Sequence, residues 1–274
     1  MGLASLWQVW QRRREDAALR RRAIPDDLWK RTLVRFPFLR WRSAEEQAEL
    51  RRLTSLFLDR KEFSAAGDLR MSDAIVVSIA AQAVLPVLKL GLARYDGFVG
   101  IVVHPDQVVA RRNVQGDDGL VHEYDETLAG EAVRGGPVML SWRDVREAGR
   151  PGAAGYNVVV HEFAHVLDLA DGLSDGVPLL PAGLSRATWL AVLQPQFEAF
   201  VARCEAGETG ETAEETALDP YAASGIDEFF AVASESFFVD PHGLVAEHAP
   251  LYELLARFYE QDPRAYAPAP PPAR

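Results

Sequence analysis

Apolar positions along this chain fall into two periods. Ser43 and Glu46 have the spacing of a capping box, and Leu50, Leu53, Leu56 and Phe57 follow at intervals of three and four. That pattern predicts a helix over 44–62. The apolar run from Ala74 to Leu92 predicts a second helix over 73–94, kinked or divided at Pro86. Between 97 and 142 the pattern shortens. Phe98–Val103, Leu120–Tyr124 and Val138–Trp142 read as strands separated by Gly-rich turns, and together they predict a small antiparallel or mixed sheet. From 155 helical spacing returns, with segments at 155–171, 185–205, 226–239 and 247–260. The expected fold class is α+β, mostly helical, with the small sheet ahead of the helical half.

Composition narrows the function classes. A net charge of -11 argues against broad nucleic-acid binding, which needs a basic surface to displace counterions. The Ala74–Leu92 run is almost long enough to span a bilayer, but Gln82, Pro86 and Lys89 interrupt it, so it reads as a buried core helix. The apolar start, Met1 to Trp10, precedes the arginines, the reverse of a signal peptide. Cys204 is the sole cysteine, which leaves no disulfide and no Cys-based zinc site and favours a reducing, cytoplasmic setting. Its plainest reading is a small apolar residue on an amphipathic stretch. Arginines at 12–14 and 20–22 mark residues 1–25 as a basic, flexible arm or frayed helix. Residues 26–263 are expected to form one domain. The acidic segment Glu205–Asp219 reads as a surface loop, and the Pro-rich end, 264–274, as disordered.

The chemical signal is His161-Glu162-Phe163-Ala164-His165. Residues four apart on a helix stack on one face, so two imidazoles at this spacing can reach one zinc at about 2.0–2.1 Å. Glu162 is turned aside by about 100° and can take a proton from a metal-activated water. The plainer alternative is a pair of satisfied core histidines. A catalytic zinc takes three protein ligands and keeps one open position. Asp171 is a weak third candidate, because an unbroken helix carries it one and a half turns past His165. Glu228 and Glu235 are better placed. They are seven residues apart, share a helix face, and are interleaved with Phe229, Phe230, Phe237 and Phe238. A solvated polar stripe is the alternative there, and spacing does not choose between the two glutamates. Asp168 shares the histidines' face and reads as either an imidazole-orienting acceptor or a cap. His104, His122, His242 and His248 read as surface or turn residues.

Five blocks carry a wider resemblance: LPVLKLGLARYDGF (85–98), GPVMLSW (136–142), GYNVVVHEFAHVLD (155–168), DPYAASGIDEFFAVASESFF (219–238) and LYELLARFYEQDP (251–263). With them, residues 25–263 resemble the Mlc titration factor A family of bacterial zinc peptidases. The resemblance implies a zincin-like fold related to the anthrax lethal factor catalytic domain. It implies a gluzincin site with one zinc per chain on His161, His165 and Glu228, Glu162 as the motif glutamate, and Tyr221 near the metal. Glu235 then becomes an outer partner of the site. Aminopeptidase activity on small amides is also implied, for which Glu123, Asp125 or Glu126 are candidates to hold a free amine. The expected partners are a peptide substrate and a transcriptional repressor of the Mlc type, with no direct nucleic acid and no membrane.

Overall fold

The structure is a computed structural model that describes residues 3–115, 121–128, 130–132, 135–148, 155–207 and 216–268, the side chains of 3–9, 108–115 and 121–128 excepted. The N-terminal part is helical: α1 (Leu3–Arg21), α2 (Asp26–Arg35) and α3 (Ala44–Arg60). Ser43 and Glu46 close the capping box at the start of α3 as their spacing predicts. Ala18 of α1 is buried in the common core, and Arg21 pairs with Asp59 of α3 at 2.9 Å. That exposed pair contributes little stability; the apolar contact fixes the helix.

α4 (Asp73–Ala83) is shorter than the apolar run predicts. It stops before Pro86, which has no N–H to return to the Gln82 carbonyl, and turns lead on to a 3-10 segment at Leu92–Tyr95. Among the described residues no helix is long and apolar enough to cross a membrane.

The sheet is mixed. β1 (Glu62–Ala65), β2 (Gly100–His104) and β6 (Val138–Ser141) are parallel, and β5 (Gly130–Ala132) runs antiparallel to β6 at one edge, in the order β1-β2-β6-β5. β3 (Val108–Gln115) and β4 (Val121–Leu128) form a separate antiparallel hairpin. Trp142, expected at the end of a strand, instead opens α5 (Trp142–Glu147), because the Ser141 hydroxyl accepts the Asp144 amide and caps a helix there.

The helical half comprises α6 (Val158–Asp168), α7 (Arg186–Glu205), α8 (Ile226–Val239) and α9 (Pro241–Tyr259). α9 breaks at His248 (φ -132°, ψ 48°), two residues before Pro250, which disfavours helical backbone in front of it. His248 is not a surface residue. It is buried, Phe200 and Phe229 lie against it, and its Nδ1 is 3.0 Å from Gln196 Oε1. The Pro-rich end from 269 and most of the acidic segment (208–215) lie outside the described residues.

α6 lies against β5, β6, α4 and α8. Its inner face is fixed by Phe163, whose ring meets Tyr95, Phe98 and Phe57 at centroid distances of 5.0, 5.7 and 5.8 Å. Phe163→Ala is expected to cost about 3–5 kcal/mol in chemical denaturation, since these rings cannot close the void it leaves. A loss below 1 kcal/mol would contradict this packing.

Candidate metal centre

Asn157 starts α6 by accepting the Val160 amide at 3.0 Å. Val158, Val159, Val160, Ala164 and Leu167 are buried, which turns His161 and His165 outward toward α8. His161 Nε2 and His165 Nε2 lie 3.2 Å apart. Glu228 Oε2, from the first turn of α8, lies 3.1 Å from the first and 3.3 Å from the second. A tetrahedral ion with ligands at about 2.0–2.1 Å holds its donor atoms about 3.3–3.4 Å apart. The three measured edges are of that size, so two imidazoles and one carboxylate fit a single metal ion. Among the described residues, this is the group of side chains close enough to hold one.

Glu235, two turns further along α8, takes a different position. Its Oε1 lies 2.7 Å from His161 Nδ1, and its Oε2 accepts the Asn157 amide. A buried carboxylate against Nδ1 keeps the proton there and leaves the Nε2 lone pair for the centre. Burial alone would depress the His161 imidazolium; Glu228 and Glu235 outweigh it and hold it well above its ordinary value. Glu228 is also desolvated, yet hydrogen bonds to both histidines hold it far below the usual carboxylate range. Glu235→Gln is expected to weaken metal affinity about 10–100-fold in competition with a chelating dye. An unchanged affinity would show that Glu235 does not orient His161.

Glu162 is buried beside the centre, and burial raises its carboxyl to about 7, against the pull of His161 and His165. The edge strand β5 comes down onto it. A Cβ on Gly130 would fall 2.7 Å from Glu162 Cδ, so only glycine lets the strand approach this closely. Tyr221 sits on the short 3-10 turn Pro220–Ala223, half exposed, its ring centroid 6.2 Å from that of His161.

Asp171 is not part of the cluster; it accepts the Leu173 amide at 3.0 Å. Asp168 makes no bond to an imidazole. It is fully buried, burial raises it to about 6, and its Oδ2 accepts the Gly176 amide at 3.0 Å. Trp189 Nε1 donates to the Gly176 carbonyl at 2.8 Å, and a Cβ there would fall 2.7 Å from the Ile226 carbonyl. This glycine, at φ +70°, thus seats the start of α8, which carries Glu228. His104 ends β2, and His242 lies on α9, 3.4 Å from the Ala267 carbonyl. Cys204 packs half-buried against the core. The side chains of His122, Glu123, Asp125 and Glu126, on β4, lie outside the described residues.

Sequence reasoning did not find Gly130 or Asn157. Asn157 had a signal, a capping residue directly before a valine run. Gly130 had none, because its constraint comes from a side chain on another element.

Comparison with known proteins points to a metallopeptidase family. Residues 7–260 match the family described as glucose-regulated metallo-peptidase M90. An uncharacterised protein of Synechocystis sp. is 32% identical over 259 residues, 94% of this chain and 90% of its own. Mlc titration factor A of Pectobacterium atrosepticum is 34% identical over 85% of both chains. That of Edwardsiella ictaluri is 36% identical over 83% of this chain and 85% of its own. The chain belongs to the M90 family of metallopeptidases, the family of Mlc titration factor A.

Proposed function

We propose that this chain is a zinc-dependent peptidase with a zincin-like catalytic domain over 26–263, acting as an aminopeptidase on peptide or amide bonds. The observation that carries the reading is the triangle of His161, His165 and Glu228 donor atoms beside a buried carboxylate under β5, the edge strand among the described residues. Zinc held by these three residues supplies Lewis-acid activation of water and of the scissile carbonyl. Glu162 accepts the proton of the attacking water and delivers it to the leaving amine. Its burial keeps its proton affinity near neutrality, where one group can do both. The Tyr221 hydroxyl, carried on a turn beside His161, donates to the developing oxyanion. β5, the last strand of the four-stranded sheet among the described residues, offers its outer edge to an extended peptide.

The test is metal content together with cleavage. One zinc per chain, with peptide hydrolysis lost on chelation and restored by zinc, is the expected result. Protein that binds zinc and cleaves no peptide would sink the catalytic reading.

A second reading rests on the relatives' printed name. A protein of this family that titrates a repressor would act by binding, linked to control of sugar uptake, and the acidic balance of this chain suits a basic partner. Co-purification of a repressor of the Mlc type with the zinc-loaded chain from its own host tests it.

A further inference from the structure

One cavity in the described structure has no role in the site above. It has a volume of about 400 Å³ and lies between the end of β5, the C-terminal half of α6 and the chain around Leu179. Ala132, Val166, Leu169, Ala170 and Leu179 give it apolar walls. Arg94 is the one charged residue among the described residues that line it, its guanidinium donating to the Leu179 carbonyl at 2.6 Å. No acidic residue is among the described residues that line it.

Its position relative to Glu162 follows from two periodicities. Val166 is four residues after Glu162 on the same stripe of α6, and Leu169 and Ala170 follow on the 3-10 turn Leu169–Asp171 that continues the helix. Val166 is therefore about 6 Å along the helix from Glu162. On β5, Ala132 is two residues past Gly130, which lies on Glu162, a displacement of about 6.6 Å. On both elements the cavity lies about 6 Å from the base, within reach of a Leu or Phe side chain on the residue next to the cut.

We infer that this cavity is a specificity subsite for an uncharged aliphatic or aromatic side chain of the peptide substrate, on the N-terminal side of the bond that is cut. The inference rests on the peptidase reading. Antiparallel pairing, the more stable kind, runs a peptide opposite to β5. Residues before the scissile bond then lie toward Ala132, and the cavity lies there. Apolar walls favour Leu or Phe, and Arg94 repels Lys or Arg.

The test uses zinc-loaded protein and peptides that differ only in Leu, Phe, Ala or Lys at the residue before the cut, the N-terminal residue of an aminopeptidase substrate. There Leu and Phe are expected to exceed Ala and Lys by about tenfold or more in kcat/KM. Ala170→Phe fills the cavity from an exposed position and should bring the Leu-to-Ala ratio toward unity. Calorimetric binding of the Leu and Ala peptides to metal-free protein should show the same order and the same loss. A ratio that Ala170→Phe leaves unchanged overturns the subsite and leaves the peptidase reading intact. Absence of all cleavage overturns the peptidase reading; equal calorimetric affinity of the two peptides then overturns the subsite as well.

Discussion

Glu162→Gln is expected to keep its metal and lose about 10²–10⁴-fold in kcat, the range carried by a positioned general acid–base. The amide is nearly isosteric, so the approach of β5 at Gly130 survives. It can accept no proton at neutral pH. KM should change little, because the three residues proposed to hold the ion and the strand edge proposed to hold the peptide are untouched. Metal analysis beside steady-state kinetics separates the outcomes. Full activity in the variant would assign the proton transfer to another group, and loss of metal would mean that Glu162 is part of the cage.

Glu228→Ala is expected to remove the metal. It takes away one of three donors and the only anionic one, so affinity should fall by more than the about 10–100-fold typical of losing an outer partner. The fold should survive, since α8 is anchored by Phe229, Phe230, Phe237 and Phe238, all fully buried. Zinc analysis after dialysis against a weak chelator reads the effect. Retention of one zinc per chain would remove Glu228 from the coordination set, and Glu235, buried against the other nitrogen of His161, would be next to change.

Much of this was legible in the sequence because long periodic segments carry their own evidence. α8 spans Ile226–Val239, as its spacing of phenylalanines predicts, and α3 begins at its capping box. Short elements were not legible. β1 has one half-buried residue among exposed ones, so it shows no alternation, and β5 has three residues and no β-branched side chain. α5, at six residues, is too short to show a period. Within the site, spacing put Glu228 and Glu235 on one face and could say no more. Which carboxylate meets Nε2 and which meets Nδ1 depends on how α8 lies across α6, a tertiary quantity. His248 was misplaced for the same reason: its burial comes from aromatic rings on α7 and α8.

The double acceptor role of Glu235 bears on how quickly the protein and its ion meet. One oxygen faces His161 and the other takes the amide that begins α6. The helix carrying both imidazoles is therefore tied to the helix carrying Glu228 by bonds the ion takes no part in. An ion arriving at such a centre should have little chain to order, so loading is expected to be limited by shedding of its water shell and by the protons that must leave. A chelator is then expected to draw the ion out again without first opening the fold. In this the chain differs from small zinc domains, where ion and fold come and go together.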